Sequence, residues 1–166
     1  MFGLTTIGII HTLLGVVALI CGFGSLARDK EISAATTLGR VYLVSTLLVA
    51  ATALTLFRHG GFGPGHAFAI ATLVCIAIGF AAERAHIFGG LSRYAMAAAY
   101  SATILFHLLP AFTEALTRLP PGAPIAASPE APLLQKIFGG LGIAFLLGLA
   151  LQLRWVRGRV KSTAAA

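Results

Sequence analysis

Long runs of apolar residues alternate with short polar segments along the whole chain. An α-helix rises 1.5 Å per residue, so about 20 mostly apolar residues are needed to cross the hydrocarbon core of a membrane. Five runs approach this length, and they predict spans at residues 3–26, 38–57, 66–82, 94–116 and 137–153. The pattern therefore predicts an all-α integral membrane helical bundle, with five transmembrane helices in a single domain over residues 1–166. The third run is the shortest, so the count of five depends on it.

The segment between the fourth and fifth runs, residues 117–136, has a different composition. It contains five prolines, at Pro120, Pro121, Pro124, Pro129 and Pro132. Proline has no amide hydrogen and interrupts helices. The segment is therefore predicted to be an extended loop on the outer side of the membrane.

Composition supports a membrane environment. Of the 166 residues, 58% are hydrophobic and 10% are charged, whereas an ordinary soluble domain has about a quarter charged residues. The charges are too few to cover the surface of a soluble domain of this size. Lipid is therefore the expected partner over most of the chain.

The positions of lysine and arginine predict an orientation. With the N-terminus outside, nine of the twelve lie in cytoplasmic segments and three in outer segments, which is the bias found in membrane proteins. The chain is thus predicted to be N-out and C-in. Its net charge of +7 comes from residues at the ends of apolar runs, so nucleic acid is not an expected partner.

Two histidines are predicted to lie inside the membrane at matched depth. His11 and His107 each fall about 12 Å from the outer boundary, at 1.5 Å per residue. An ionisable residue inside a membrane is a functional-site hypothesis by default. Two histidines on facing helices are sufficient to bind a b-type haem. The alternative is that each neutral imidazole makes a hydrogen bond between helices.

Other polar residues on the outer side allow further hypotheses. A copper or zinc ion could be bound with help from His59, His66 or Glu114. Glu114 is also placed for an ion pair with Arg118, four residues later on the same helix. Hydroxyl side chains along the spans could line a path for a small transporter or channel subunit. The sequence has no phosphate-binding loop and no HExxH or GxSxG motif, so it does not predict an enzyme.

Small residues occur at regular spacing on some of the predicted helices. Gly8, Gly15 and Gly22 are seven residues apart in the first span. Gly140, Ala144 and Gly148 are four apart in the fifth. Small residues let membrane helices approach closely. These faces are expected to contact another helix of the chain, a second copy or a partner membrane subunit.

The first two spans resemble a known family. His11, Gly15 and Gly22, followed by Gly39-Arg40-Val41-Tyr42, are similar to a family of small bacterial predicted membrane proteins classed as a domain of unknown function. The likeness extends over about residues 7–119. That family often has a histidine just before the Gly-Arg pair, where this chain has Thr37-Leu38. The resemblance implies a multi-pass protein of the bacterial cytoplasmic (inner) membrane and supplies no activity, so the leading expectation is a small membrane protein of unknown role, such as an accessory subunit.

Overall fold

The computed structural model describes residues 5–55 and 61–164, and these residues form five α-helices. The helices are α1 (Thr6–Asp29), α2 (Thr37–Ala53), α3 (Pro64–Ala85), α4 (Ser92–Arg118) and α5 (Pro132–Ala164), with a 3-10 turn at Gly89–Leu91 before α4. The all-α prediction is confirmed.

Within the described residues, four helices are long and apolar enough to cross a membrane: α1, α3, α4 with its preceding turn, and α5. The third run, which the sequence presents as the shortest, forms a helix of 22 residues. The shortest helix is instead α2, with 17 residues, or about 26 Å at 1.5 Å per residue. The structure therefore supports a membrane bundle with four long candidate spans, and the count of five depends on α2.

Helix α5 begins earlier than the sequence predicts. Its first residue is Pro132, which lies inside the segment predicted to be a loop. Proline is tolerated in the first turn of a helix, because the amide it lacks would have no partner there. Pro110 lies within α4, which continues to Arg118. Helix α5 also continues past the predicted end of its span, to Ala164.

Threonine hydroxyls cap the first two helices. Thr5 accepts a hydrogen bond from the amide of Gly8, and Thr36 accepts one from the amide of Gly39, both at 3.1 Å. Each satisfies an amide that has no partner within its own helix. Thr36 is the last residue of the short connection between α1 and α2. Its cap therefore fixes where α2 begins after the chain has reversed direction.

Consecutive helices pack against each other in the order of the chain, and α5 packs mainly on α4. The core where α1, α2 and α4 meet contains Ala18, Tyr42, Tyr100 and Ile104, which are all buried. Large apolar side chains instead cover the outside of the bundle. Examples that are more than half exposed are Leu13, Ile20, Leu146, Leu147 and Leu151. An apolar exterior of this kind is suited to lipid.

Two glycines allow aromatic rings to pack directly against a helix backbone. A Cβ at Gly22 would lie 2.8 Å from the ring of Tyr42, and one at Gly79 would overlap the ring of Tyr100. By contrast, a Cβ at Gly15, Gly140 or Gly148 would meet no atom of the described chain within 4 Å. The glycine face of α5 is thus open, and its contact with a partner helix stays a prediction.

Candidate functional site

The imidazole of His11, on α1, is bonded to helix α2. Its Nδ1 lies 2.9 Å from the hydroxyl of Thr52. That hydroxyl also lies 2.8 Å from the carbonyl oxygen of Leu48 and 3.0 Å from that of Val49. Carbonyls only accept hydrogen bonds, and a hydroxyl has one hydrogen to donate. Thr52 therefore donates to the backbone and accepts from His11, which places a proton on Nδ1 and leaves a lone pair on Nε2 of the neutral ring.

The imidazole of His107, on α4, is also bonded to α2. Its Nε2 lies 3.1 Å from the hydroxyl of Thr46, in a buried contact. The ring of Tyr42 packs edge-on against it, with 6.3 Å between the ring centres. His11 and His107 lie within the range of an electrostatic interaction. Each of the two predicted site residues is bonded to α2, His11 through Thr52 and His107 through Thr46.

Tyr42 extends this contact toward the other end of the bundle. It lies one turn before Thr46 on α2, and its hydroxyl bonds to that of Thr103 on α4 at 2.5 Å. Thr103 donates its hydrogen to the carbonyl oxygen of Tyr100, at 2.7 Å, so Tyr42 must be the donor to Thr103. All three of these residues are fully buried.

Glu83 joins three segments at the end of the bundle that is predicted to be cytoplasmic. Its carboxyl group accepts from the hydroxyl of Ser33 at 2.6 Å, the amide of Ala34 at 3.2 Å and the hydroxyl of Tyr100 at 3.0 Å. These donors come from the α1–α2 connection and from α4. Glu83 also lines a cavity of about 200 Å³, together with His86.

These side chains form a series through the interior of α1 to α4, which we call the polar column. From the predicted outer side to the inner side it consists of His11, Thr52, His107, Thr46, Tyr42, Thr103, Tyr100 and Glu83. The hydrogen bonds form four groups, with one gap between the two histidines, a second between Thr46 and Tyr42, and a third along the side chain of Tyr100. The sequence indicated only the histidines and the general presence of hydroxyls. The Tyr42–Thr46 spacing of one helical turn was a usable signal that the sequence analysis missed.

The remaining predicted site residues lie elsewhere. Glu114 forms an ion pair with Arg118, with 2.7 Å between their atoms, so that prediction is confirmed, and Glu114 is also within electrostatic range of His11. His66 is at the start of α3, where its Nδ1 accepts from the amide of Gly63 at 3.1 Å.

The predicted copper or zinc site depends partly on His59, which lies outside the described residues. In the part of the chain that the structure describes, no group of three or more His, Cys, Asp or Glu side chains could hold a metal ion. Because His59 is not among these residues, the copper or zinc site stays a prediction.

The fold and the polar column define a class, an α-helical bundle with apolar candidate spans and a polar interior. Comparisons with protein-family models, with curated proteins and with solved structures found no match. The resemblance to a family of small bacterial membrane proteins therefore stays a prediction, and function must be argued from the geometry.

Proposed function

We propose that this chain is a small multi-pass protein of the bacterial inner membrane, oriented N-out and C-in, that transfers protons along the polar column as a transporter or channel subunit. The observation that supports this most directly is the series of imidazole, hydroxyl and carboxyl groups from His11 to Glu83, which is buried from His107 to Tyr100 and partly exposed at His11, Thr52 and Glu83. Polar groups inside a membrane bundle are costly unless paired, and they commonly mark ion or proton pathways.

Each member of the column can hold or pass a proton. Imidazole binds and releases protons near neutral pH, and hydroxyls both donate and accept. The hydrogen-bond directions are fixed at two points, where His11 donates to Thr52 and Tyr42 donates to Thr103. When a proton passes along the column, the direction of each of these hydrogen bonds reverses, so that the former acceptor becomes the donor. At the three gaps, transfer requires a bridging water molecule or rotation of a side chain.

Further ionisable side chains lie near both ends of the polar column. At the predicted outer end, Glu114 lies within electrostatic range of His11. At the predicted inner end, Glu83 and His86 line a cavity of about 200 Å³ beside the α1–α2 connection. A proton that reaches Glu83 would therefore leave through this cavity.

Replacing Tyr42 by phenylalanine tests this function. The change removes the donor to Thr103 and keeps the ring that packs on Gly22, so we expect proton flux to fall to the rate of protein-free liposomes. The loss of one neutral hydrogen bond should destabilise the fold by only about 1 kcal/mol. The measurement is acidification of a trapped pH-sensitive dye in proteoliposomes under an imposed potential.

The matched control is Tyr94→Phe, because Tyr94 lies near the start of α4 and outside the polar column. This variant should keep the flux of the unaltered protein. If the unaltered protein itself produces no flux above protein-free liposomes, or if Tyr42→Phe conducts equally well, the proposed proton transfer is wrong.

A b-type haem site is a second candidate, and the protonation of His11 favours it. Proteins commonly orient a ligating histidine by binding its other ring N–H, and here Thr52 binds Nδ1–H and leaves Nε2 for a ligand. His11 and His107 would hold the haem, and His107 would have to bind through Nδ1 or break the contact of its Nε2 with Thr46. A bound haem would supply one-electron chemistry. A haem needs only these two ligands, so this hypothesis does not require a third side chain.

An absorption spectrum tests the haem candidate. Protein purified from haem-sufficient cells should show a Soret band, and His11→Ala and His107→Ala should each remove it. His86→Asn is the control and should retain the band, because His86 lies at the opposite end of the bundle and asparagine tolerates its left-handed backbone (φ 49°). Unaltered protein with no Soret band after haem addition would reject this candidate and leave the flux experiment unaffected.

A further inference from the structure

A lateral groove of about 520 Å³ lies between α1, α4 and α5. It is separate from the polar column and does not depend on the proposed proton transfer. Most of its lining is apolar, and the side chains that form its walls include Phe23, Leu26, Ile104, Leu108, Phe145 and Leu149. This volume and this apolar lining are typical of sites for small apolar ligands.

The polar groups of the groove are concentrated near the predicted inner end. Ser101 donates to the side-chain oxygen of Gln152 at 2.8 Å, and the amide nitrogen of Gln152 donates to the backbone carbonyl of Lys30 at 3.0 Å. Gln152 is buried, so these bonds connect α5 to α4 and to the end of α1. Lys30 and Trp155 also line the groove.

Positive charge exceeds negative charge at this end of the groove, where the carboxylates of Asp29 and Glu31 are paired with Arg28 and Arg93. The ammonium of Lys30 donates to the carbonyl of Ala27 at 2.7 Å, and an ammonium has three hydrogens to donate, so it can bind a further acceptor. The guanidinium groups of Arg93 and Arg159 lie 5.6 and 5.2 Å from the ring centre of Trp155. Arg154 and Arg157 are exposed on the same part of α5.

We propose that the groove binds an anionic phospholipid of the inner leaflet, with an acyl chain between α1, α4 and α5 and the phosphate at Lys30. The apolar lining is suited to an acyl chain, because the hydrocarbon chains of lipids surround the bundle at this depth of a membrane. The excess of cations at one end selects an anionic headgroup over a zwitterionic one, since basic residues at the cytoplasmic surface attract anionic lipids.

The only tryptophan of the chain, Trp155, reports on occupancy because it lines the groove. The experiment places the protein in phosphatidylcholine nanodiscs and adds phosphatidylglycerol with brominated acyl chains, which quench tryptophan fluorescence. Quenching should saturate at a low fraction of brominated phosphatidylglycerol. Brominated phosphatidylcholine should quench only in proportion to its amount.

Two variants test the parts of the site separately. Lys30→Gln should weaken the preference for the anionic lipid about fivefold, because a basic residue near the surface contributes about this factor. Gly148→Leu should reduce quenching by filling the groove, since a Cβ at Gly148 meets no atom within 4 Å. The matched controls are Lys136→Gln and Gly139→Leu on α5 outside the groove, and both should behave as the unaltered protein.

Three outcomes would overturn the proposal. Equal quenching by the two lipids would reject the anionic preference, and a Lys30→Gln variant with unchanged preference would reject the phosphate position. Absence of saturation together with a stable dimer, measured by the mass of the nanodisc-embedded protein, would show that a second copy of the chain covers the groove instead.

Discussion

Replacing Gly39 by alanine is expected to prevent the chain from folding to its native stability. A Cβ at Gly39 would overlap the backbone carbonyl oxygen of Ser33. That oxygen also accepts from the amide and the hydroxyl of Thr36, each at 3.2 Å, so it cannot move without breaking the connection between α1 and α2. Overpacking costs typically about 1–3 kcal/mol and sometimes more, and a backbone clash belongs at the upper end. Thermal unfolding in detergent, followed by the fraction of protein that stays monodisperse, measures the loss.

Gly15→Ala is the control for this prediction. It makes the same substitution in a helix of the same bundle, at a position where a Cβ meets no described atom within 4 Å. It should unfold at the temperature of the unaltered protein. If Gly39→Ala were equally stable, the close approach of α2 to the preceding turn would not exist in the native protein.

Replacing Glu83 by alanine should produce the second large effect. The carboxyl group accepts hydrogen bonds from Ser33, Ala34 and Tyr100, and its removal leaves these donors without their acceptor. Hydrogen bonds to charged groups contribute about 1.5–3 kcal/mol each, so we expect a total loss of about 3 kcal/mol, as such contributions are not additive. Glu83→Gln should lose less, because the amide oxygen retains part of the acceptor capacity.

Thermal unfolding measures this prediction as well, with Glu130→Ala as the control. Glu130 is exposed in the connection between α4 and α5, so its replacement should leave the unfolding temperature unchanged. Equal unfolding temperatures for Glu83→Ala and Glu130→Ala would mean that Glu83 does not connect α3 to its neighbours.

The bundle contains two separate structural features. Helices α1 to α4 enclose the polar column, and α5 packs mainly on α4 and bounds the lateral groove. The two features share α1 and α4, and Ile104 adjoins both, because it packs in the core with Tyr42 and Tyr100 and also lines the groove. Tyr42 and Lys30 each belong to one feature only, so their variants test the proton and lipid proposals separately.

Structural features that depend only on residues close together in the chain, such as helices and ion pairs within one helix, could be predicted from the sequence. Apolar runs become helices because a backbone in an apolar environment must satisfy its own hydrogen bonds. The Glu114–Arg118 pair follows from the one-turn spacing of a helix. The early start of α5 at Pro132 does not follow from the number of prolines, because a proline in the first turn is compatible with a helix whereas one further inside is not.

Sequence alone therefore determined that this protein is a helical bundle with an apolar exterior, and it identified His11 and His107 as the ionisable groups of interest within the helices. Tertiary structure alone decided what these histidines contact. Nearly uniform apolar helices do not show which face turns inward, and that choice depends on steric fit, such as the Tyr42 ring on Gly22 and the Tyr100 ring on Gly79. The pairing of His11 with Thr52, 41 residues apart in the chain, follows from that packing and not from any local pattern.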